Sequence, residues 1–60
     1  MKIVIVIEDY VKGGQNAFVS ELINSWPEFD EFIIISNEMN IGLDMIKYRC
    51  KKDYKLIFTS

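Results

Sequence analysis

Histidine is absent from the 60 residues, and cysteine and proline occur once each. Without histidine, imidazole acid–base catalysis and histidine-based metal sites are excluded. The single cysteine, Cys50, cannot form an internal disulfide, which agrees with a reduced, cytoplasmic setting. Basic charge is also scarce. Seven Lys and Arg stand against nine Asp and Glu, a net charge of −2, and the sequence pI is about 4.9. A nucleic-acid partner is therefore not expected, since it would want a strongly basic face. Long apolar runs are missing too. Lys2 is followed by five apolar residues and then Glu8-Asp9. That run is too short to span a bilayer, and it lacks the length and small-residue cleavage site of a signal peptide. No internal repeat or low-complexity segment is visible.

What remains is ordinary globular composition, with 50% hydrophobic and 27% charged residues. Sixty residues hold one domain at most. A chain of this length buries only about 60% of its unfolded surface and is marginally stable.

The first fourteen residues organise the rest. Ile3, Val4, Ile5, Val6 and Ile7 are consecutive and β-branched. An unbroken apolar run reads as a strand covered on both faces, the habit of a central strand in a parallel α/β sheet. Strand one is expected over Lys2 to Ile7. Glu8 to Gly14 then forms a turn closing on paired glycines. A helix follows over about Gln15 to Ser25, with Phe18, Val19, Leu22, Ile23 and Trp26 forming one apolar stripe. Ser20, Glu21, Asn24 and Ser25 fall on its wet face. Pro27 stops the helix, because the residue before proline is pushed out of helical geometry. Strand two is Phe32 to Ser36. Asn40 is a candidate N-cap for a second helix over Ile41 to Lys52, with Leu43, Ile46 and Cys50 inward. Strand three is Tyr54 to Thr59. The order β-α-β-α-β predicts the α/β class, with parallel strands joined by helical crossovers.

Crossovers of this kind are right-handed in nearly all cases. Three strands added in one direction therefore carry both helices on one face. The other face of strand one is then bare and one of its edges unpaired, although its sequence reads as central. Together with a chain that stops at the end of a strand, this predicts the opening of a larger doubly wound domain. The alternative is a small protein that must self-associate to cover itself.

Several residues are candidates for chemistry. Lys12-Gly13-Gly14 lies just before the first helix, where ligands of α/β folds bind. Glycine permits close backbone approach, and the helix start suits an anion such as phosphate or carboxylate. The competing reading is a loop that merely needs glycine to turn. Neither G-x-G-x-x-G nor the phosphate-loop pattern is present, since the next glycine is Gly42. Glu8-Asp9 could bind a divalent cation, but adjacent residues of an extended chain point apart, which favours a solvated turn. Lys47, Arg49, Lys51, Lys52 and Lys55 hold five of the seven basic residues, and they read as a solvated helix end complementing the dipole. Cys50 reads as a small core residue and Trp26 as a helix anchor. No catalytic residue, metal ligand or cofactor site is expected within the chain.

From Met1-Lys2-Ile3-Val4-Ile5-Val6-Ile7 through Lys12-Gly13-Gly14, the sequence resembles the start of retaining nucleotide-sugar glycosyltransferases of the GT-B, family-four type. Their N-terminal domain opens with M-K-I and an apolar strand, then a polar loop closing on G-G. An amphipathic helix follows, matched here by Phe18-Val19-Ser20-Glu21-Leu22. Phe32-Ile33-Ile34-Ile35-Ser36-Asn37 fits the second strand and its loop. The resemblance implies that residues 1–60 are the first portion of an acceptor-side, Rossmann-like domain. Its partners would be a nucleotide-sugar donor, an acceptor and a C-terminal domain carrying the donor site and paired glutamates. In such enzymes the glycine loop faces the interdomain cleft, a role that would fall on Gly13 and Gly14, with Lys12 beside them. Many members follow the glycines with a small residue and an acid, whereas this chain has Gln15 and Asn16. Without the second domain the chain should not catalyse transfer, and self-association of the isolated chain is the other expectation.

A receiver-like signalling domain is the alternative. It too begins with an apolar strand ending in acids, here Glu8-Asp9, which would hold Mg²⁺. That family needs a phosphorylatable Asp at the end of its third strand, where this chain has Phe58-Thr59-Ser60. A dehydrogenase is disfavoured by the missing fingerprint.

Overall fold

The computed structural model describes residues 1–8, 14–27 and 30–59. The elements run β1 (Lys2–Ile7), α1 (Gly14–Ser25), β2 (Glu31–Asn37), α2 (Leu43–Arg49) and β3 (Lys55–Thr59). All strand pairs are parallel and the sheet order is β1-β2-β3. This is the expected α/β arrangement of parallel strands and helical crossovers.

One core lies between the sheet and both helices. Ile7, Phe32 and Ile34 from the sheet meet Val19 and Ile23 of α1 and Ile46 of α2, all buried. Leu43 and Cys50, expected inward, pack half-buried at its margin. Trp26 anchors the end of α1, its ring edge-on to Phe32 with centroids 6.2 Å apart. Both helices therefore share a face. The opposite face carries Val4 and Val6 of β1, Ile33 and Ile35 of β2, and Ile57 of β3, aligned by the register. Val4, Val6 and Ile57 are 55%, 61% and 49% exposed.

β1 departs from its sequence signature. Its unbroken apolar run predicts a central strand, yet β2 is central and β1 lies at the edge. Only Ile3, Ile5 and Ile7 of the run turn toward the core. The β-branched residues that face away from it are uncovered, which is the geometric consequence of adding strands in one direction.

The inward face of α1 also differs from the expected stripe. Phe18 is 64% exposed, whereas Asn16 and Ser20 are fully buried beside Val19 and Ile23. These four are spaced i, i+3, i+4, i+7, an equally regular helical face. Asn16 and Ser20 occupy it because their polar groups find partners: the Ser20 hydroxyl donates to the Asn16 carbonyl at 3.0 Å.

α2 is shorter than the expected span of Ile41 to Lys52. Ile41 and Gly42 form a turn, with the Gly42 N–H donating to Asn40 Oδ1 at 2.8 Å. Gly42, not Asn40, is the cap residue. At the other end Asn24 of α1 intercepts the chain. Its Nδ2 donates to the Arg49 carbonyl at 2.9 Å, and its Oδ1 accepts from the Lys51 N–H at 2.7 Å. A side-chain amide thus takes backbone groups that would continue the helix. Cys50 is already extended, with φ −73° and ψ 125°.

Candidate functional site

The carboxyl ends of β1 and β2 meet the N-terminal ends of the two helices, the region where α/β sheets bind ligands. Gly14 opens α1 with φ 50°. A residue with a Cβ in that left-handed region costs about 1–2 kcal/mol, so the backbone itself demands glycine there. Lys12 and Gly13, named with Gly14 as substrate-binding candidates, lie outside the described residues, as does Asp9. Glu8 is exposed, and its N–H donates to Gln15 Oε1 at 2.9 Å. That bond ties the end of β1 to the first turn of α1.

Beneath this turn lies a group of polar side chains of which the sequence singled out only Asn40, and that as an N-cap. Asn16 and Ser20 of α1, Ser36 of β2 and Asn40 are all buried. The amides of Asn16 and Asn40 face one another. Asn40 Nδ2 donates to Asn16 Oδ1 at 2.9 Å, and Asn16 Nδ2 donates back to Asn40 Oδ1 at 3.3 Å. Asn40 Nδ2 also donates to Ser36 Oγ at 3.0 Å, and Asn40 Oδ1 accepts the Gly42 N–H. The Gly42 N–H can only donate, which fixes the orientation of the Asn40 amide. The Asn40 side chain thus makes four bonds, to α1, to β2 and to its own loop. Among the described residues no buried side-chain polar atom lacks a hydrogen-bond partner. The signal that could have found this group is the i, i+3, i+4, i+7 spacing of Asn16, Val19, Ser20 and Ile23.

Amides and hydroxyls of this kind hold elements in register and position the turn above them. They include neither a nucleophile–base pair nor a charge. Among the described residues, no group of three or more Cys, Asp or Glu side chains is placed to hold a metal ion.

The opposite, amino end of the sheet is the charged one. The Trp26 indole N–H donates to Asp30 Oδ2 at 2.8 Å, and the N-terminal ammonium lies 3.3 Å from Asp30 Oδ1. Together they hold the Asp30 carboxyl below its ordinary range, the indole contributing most. Lys55 Nζ stands 3.0 Å from Glu31 Oε1 and lowers that carboxyl likewise, chiefly through its hydrogen bond. Burial, and secondarily Cys50, raise the Tyr54 phenol. A hollow of about 370 Å³ is lined here by Asp30, Phe32, Lys51, Lys52 and Asp53. Two of its polar groups are engaged already: Asp30, by the indole and the ammonium, and Lys52, whose Nζ donates to the Trp26 carbonyl at 2.6 Å and lies 6.0 Å from the Phe32 ring centroid. The hollow lies at the end away from Gly14, and the ligand end of the fold is the better candidate. The basic cluster is likewise divided: Lys47 and Arg49 sit in the last turn of α2, while Lys52 and Lys55 are bound into the amino end.

The chain matches no family model, no curated protein and no solved structure. Among the described residues no helix is long and apolar enough to cross a membrane.

Proposed function

We propose that the chain is the acceptor-side, N-terminal portion of a glycosyltransferase that moves a sugar from a nucleotide-diphosphate donor to an acceptor hydroxyl, and that it is inactive alone. The observation that carries the reading is Gly14, at φ 50° on the first residue of α1, beside the carboxyl end of a parallel β1. A glycine turn at that position lets a diphosphate approach backbone N–H groups and the positive end of the helix dipole. Aimed N–H groups of this type stabilise charge on a departing diphosphate. The C-terminal domain would supply the donor nucleotide site, and Lys12, Gly13 and Gly14 would face the cleft. The receiver-like reading is the weaker one, since β3 ends on Phe58 and Thr59 rather than on a carboxylate.

The test separates a ligand contact from a backbone requirement. Asn tolerates left-handed φ better than other residues with a side chain. In the complete enzyme Gly14→Asn should therefore keep the fold while its side chain obstructs the diphosphate. The expected result is a fall of about 10²–10³ in kcat, the typical cost of one electrostatic donor, with the melting temperature nearly unchanged. An unchanged kcat per folded molecule would remove Gly14 from the site.

A further inference from the structure

We propose that β1 is a self-complementary edge at which two copies of this chain pair, antiparallel, about a two-fold axis through Ile5. The inference concerns the 60-residue chain itself and does not rest on the glycosyltransferase reading.

β1 pairs with β2 alone among the described strands, so its other side is an open edge. Such edges template pairing with another chain, and natural proteins blunt them with proline, inward charges or bulges. Between Lys2 and Glu8 this strand has none of these, only Ile3, Val4, Ile5, Val6 and Ile7. The direction of its peptide groups is set by the Glu31 N–H, which donates to the Met1 carbonyl at 3.0 Å. Backbone groups alternate sides along a strand, so those of Met1, Ile3, Ile5 and Ile7 aim at β2. Those of Lys2, Val4 and Val6 aim outward.

Charge selects the partner and the register. The strand begins with Lys2 and is followed by Glu8, both exposed, six positions apart and on one side of the alternation. In an antiparallel pair centred on Ile5, Lys2 of each copy lies opposite Glu8 of the other. Val4 lies opposite Val6, Ile3 opposite Ile7, and Ile5 meets its own symmetry mate. Val4 and Val6 then exchange their outward N–H and C=O groups in hydrogen-bonded pairs, while Ile5 occupies the closer, non-hydrogen-bonded pair. Shifting the centre to Val4 or Val6 would set an unpaired Lys2 or Glu8 against valine. A parallel pairing would set like charges side by side. The chemistry of the strand is thus the same read from either copy, which is what a two-fold interface requires. The product is a continuous six-stranded sheet with both helical layers on one side.

Sedimentation equilibrium of the full chain between about 10 µM and 1 mM tests this, at low and high salt. A monomer–dimer equilibrium weakened by salt is expected. Glu8→Lys sets lysine against Lys2 at two symmetry-related places and should raise the dissociation constant about tenfold or more. Adding Lys2→Glu restores opposite charges and should return it to within about threefold of the parent value. In a mixture of ¹³C-labelled and unlabelled chains, intermolecular contacts should join Val4 to Val6. A chain that stays monomeric, an affinity indifferent to Glu8→Lys, a double variant that fails to recover, or a dimer without the Val4–Val6 contact would each overturn the proposal.

Discussion

Single residues decide more here than the apolar pattern suggests. Asn40 bonds to Asn16, Ser36 and Gly42 at once, from a buried position. Asn40→Ala removes bonds to the Asn16 amide and the Ser36 hydroxyl and takes the side-chain acceptor from the Gly42 N–H, and a buried unsatisfied group costs about 1–3 kcal/mol. The variant should lose at least about 2 kcal/mol in urea unfolding. Ser20→Ala should lose less than about 1 kcal/mol, because its hydroxyl only bonds back to a carbonyl of its own helix. Equal losses would mean that the network is not shared between elements. At the amino end, Asp30 and Glu31 have folded-state pKa values below their ordinary 3.8 and 4.5. Their contribution is therefore fully present above those ordinary values and is lost as pH falls through the depressed ones, since the unfolded chain takes up protons first. Trp26→Phe removes the largest influence on Asp30 and should shift its carboxyl titration upward in NMR. No shift would show that the indole bond is absent in solution. The residue-level pattern was only half legible in the sequence. Trp26 reads correctly as an anchor; Cys50, read as a small core residue on the helical stripe, packs half-buried against the core just past the end of α2; and the buried positions of Asn16 and Ser20 do not follow from hydropathy. A polar side chain goes inside only when a partner waits there: for Ser20 it is a carbonyl of its own helix, but for Asn16 it is Asn40, twenty-four positions away.

At the scale of elements, the strands announce themselves and the helix limits do not. β1 and the centre of β2 follow from β-branched runs, and the parallel order follows from the alternation with helices. α1 begins at Gly14, one residue ahead of its expected start. α2 is cut back at both ends by side chains outside it, Asn40 before and Asn24 after. Hydrophobic spacing cannot reveal such interception, because it is made across the tertiary structure. Asn24→Ala should free the Arg49 carbonyl and Lys51 N–H and fray the junction between α2 and β3. Amide exchange at Lys51 should accelerate about fivefold, given a net hydrogen-bond contribution of about 1 kcal/mol, while amides of β2 stay protected. Uniform acceleration through β2 would mean that Asn24 supports the whole fold and not one helix end. The conformation of Gly14 was legible as that of a turn that needs glycine, because only glycine accepts its φ of 50° cheaply. The polar network beneath it was not.

At the scale of the molecule, the described residues form one sheet with one covered face. Val4, Val6, Ile33, Ile35 and Ile57 line the other, and β1 offers an open edge beside it. Parallel sheets are normally covered on both faces by helices, and the β-branched runs of β1 and β2 suit that environment. This explains how β1 can have a central strand's sequence at an edge position: the sequence reports the cover the strand requires, while the sheet order reports what these residues supply. Pairing through the open β1 edge, as proposed, would stabilise the folded chain by association. Thermal melting followed by far-UV circular dichroism across a hundredfold range of chain concentration tests it most directly. Association with the folded state raises the melting temperature by mass action, so the midpoint should climb with concentration. A cooperative melt with the same midpoint at every concentration, from a monomeric sample, would contradict it.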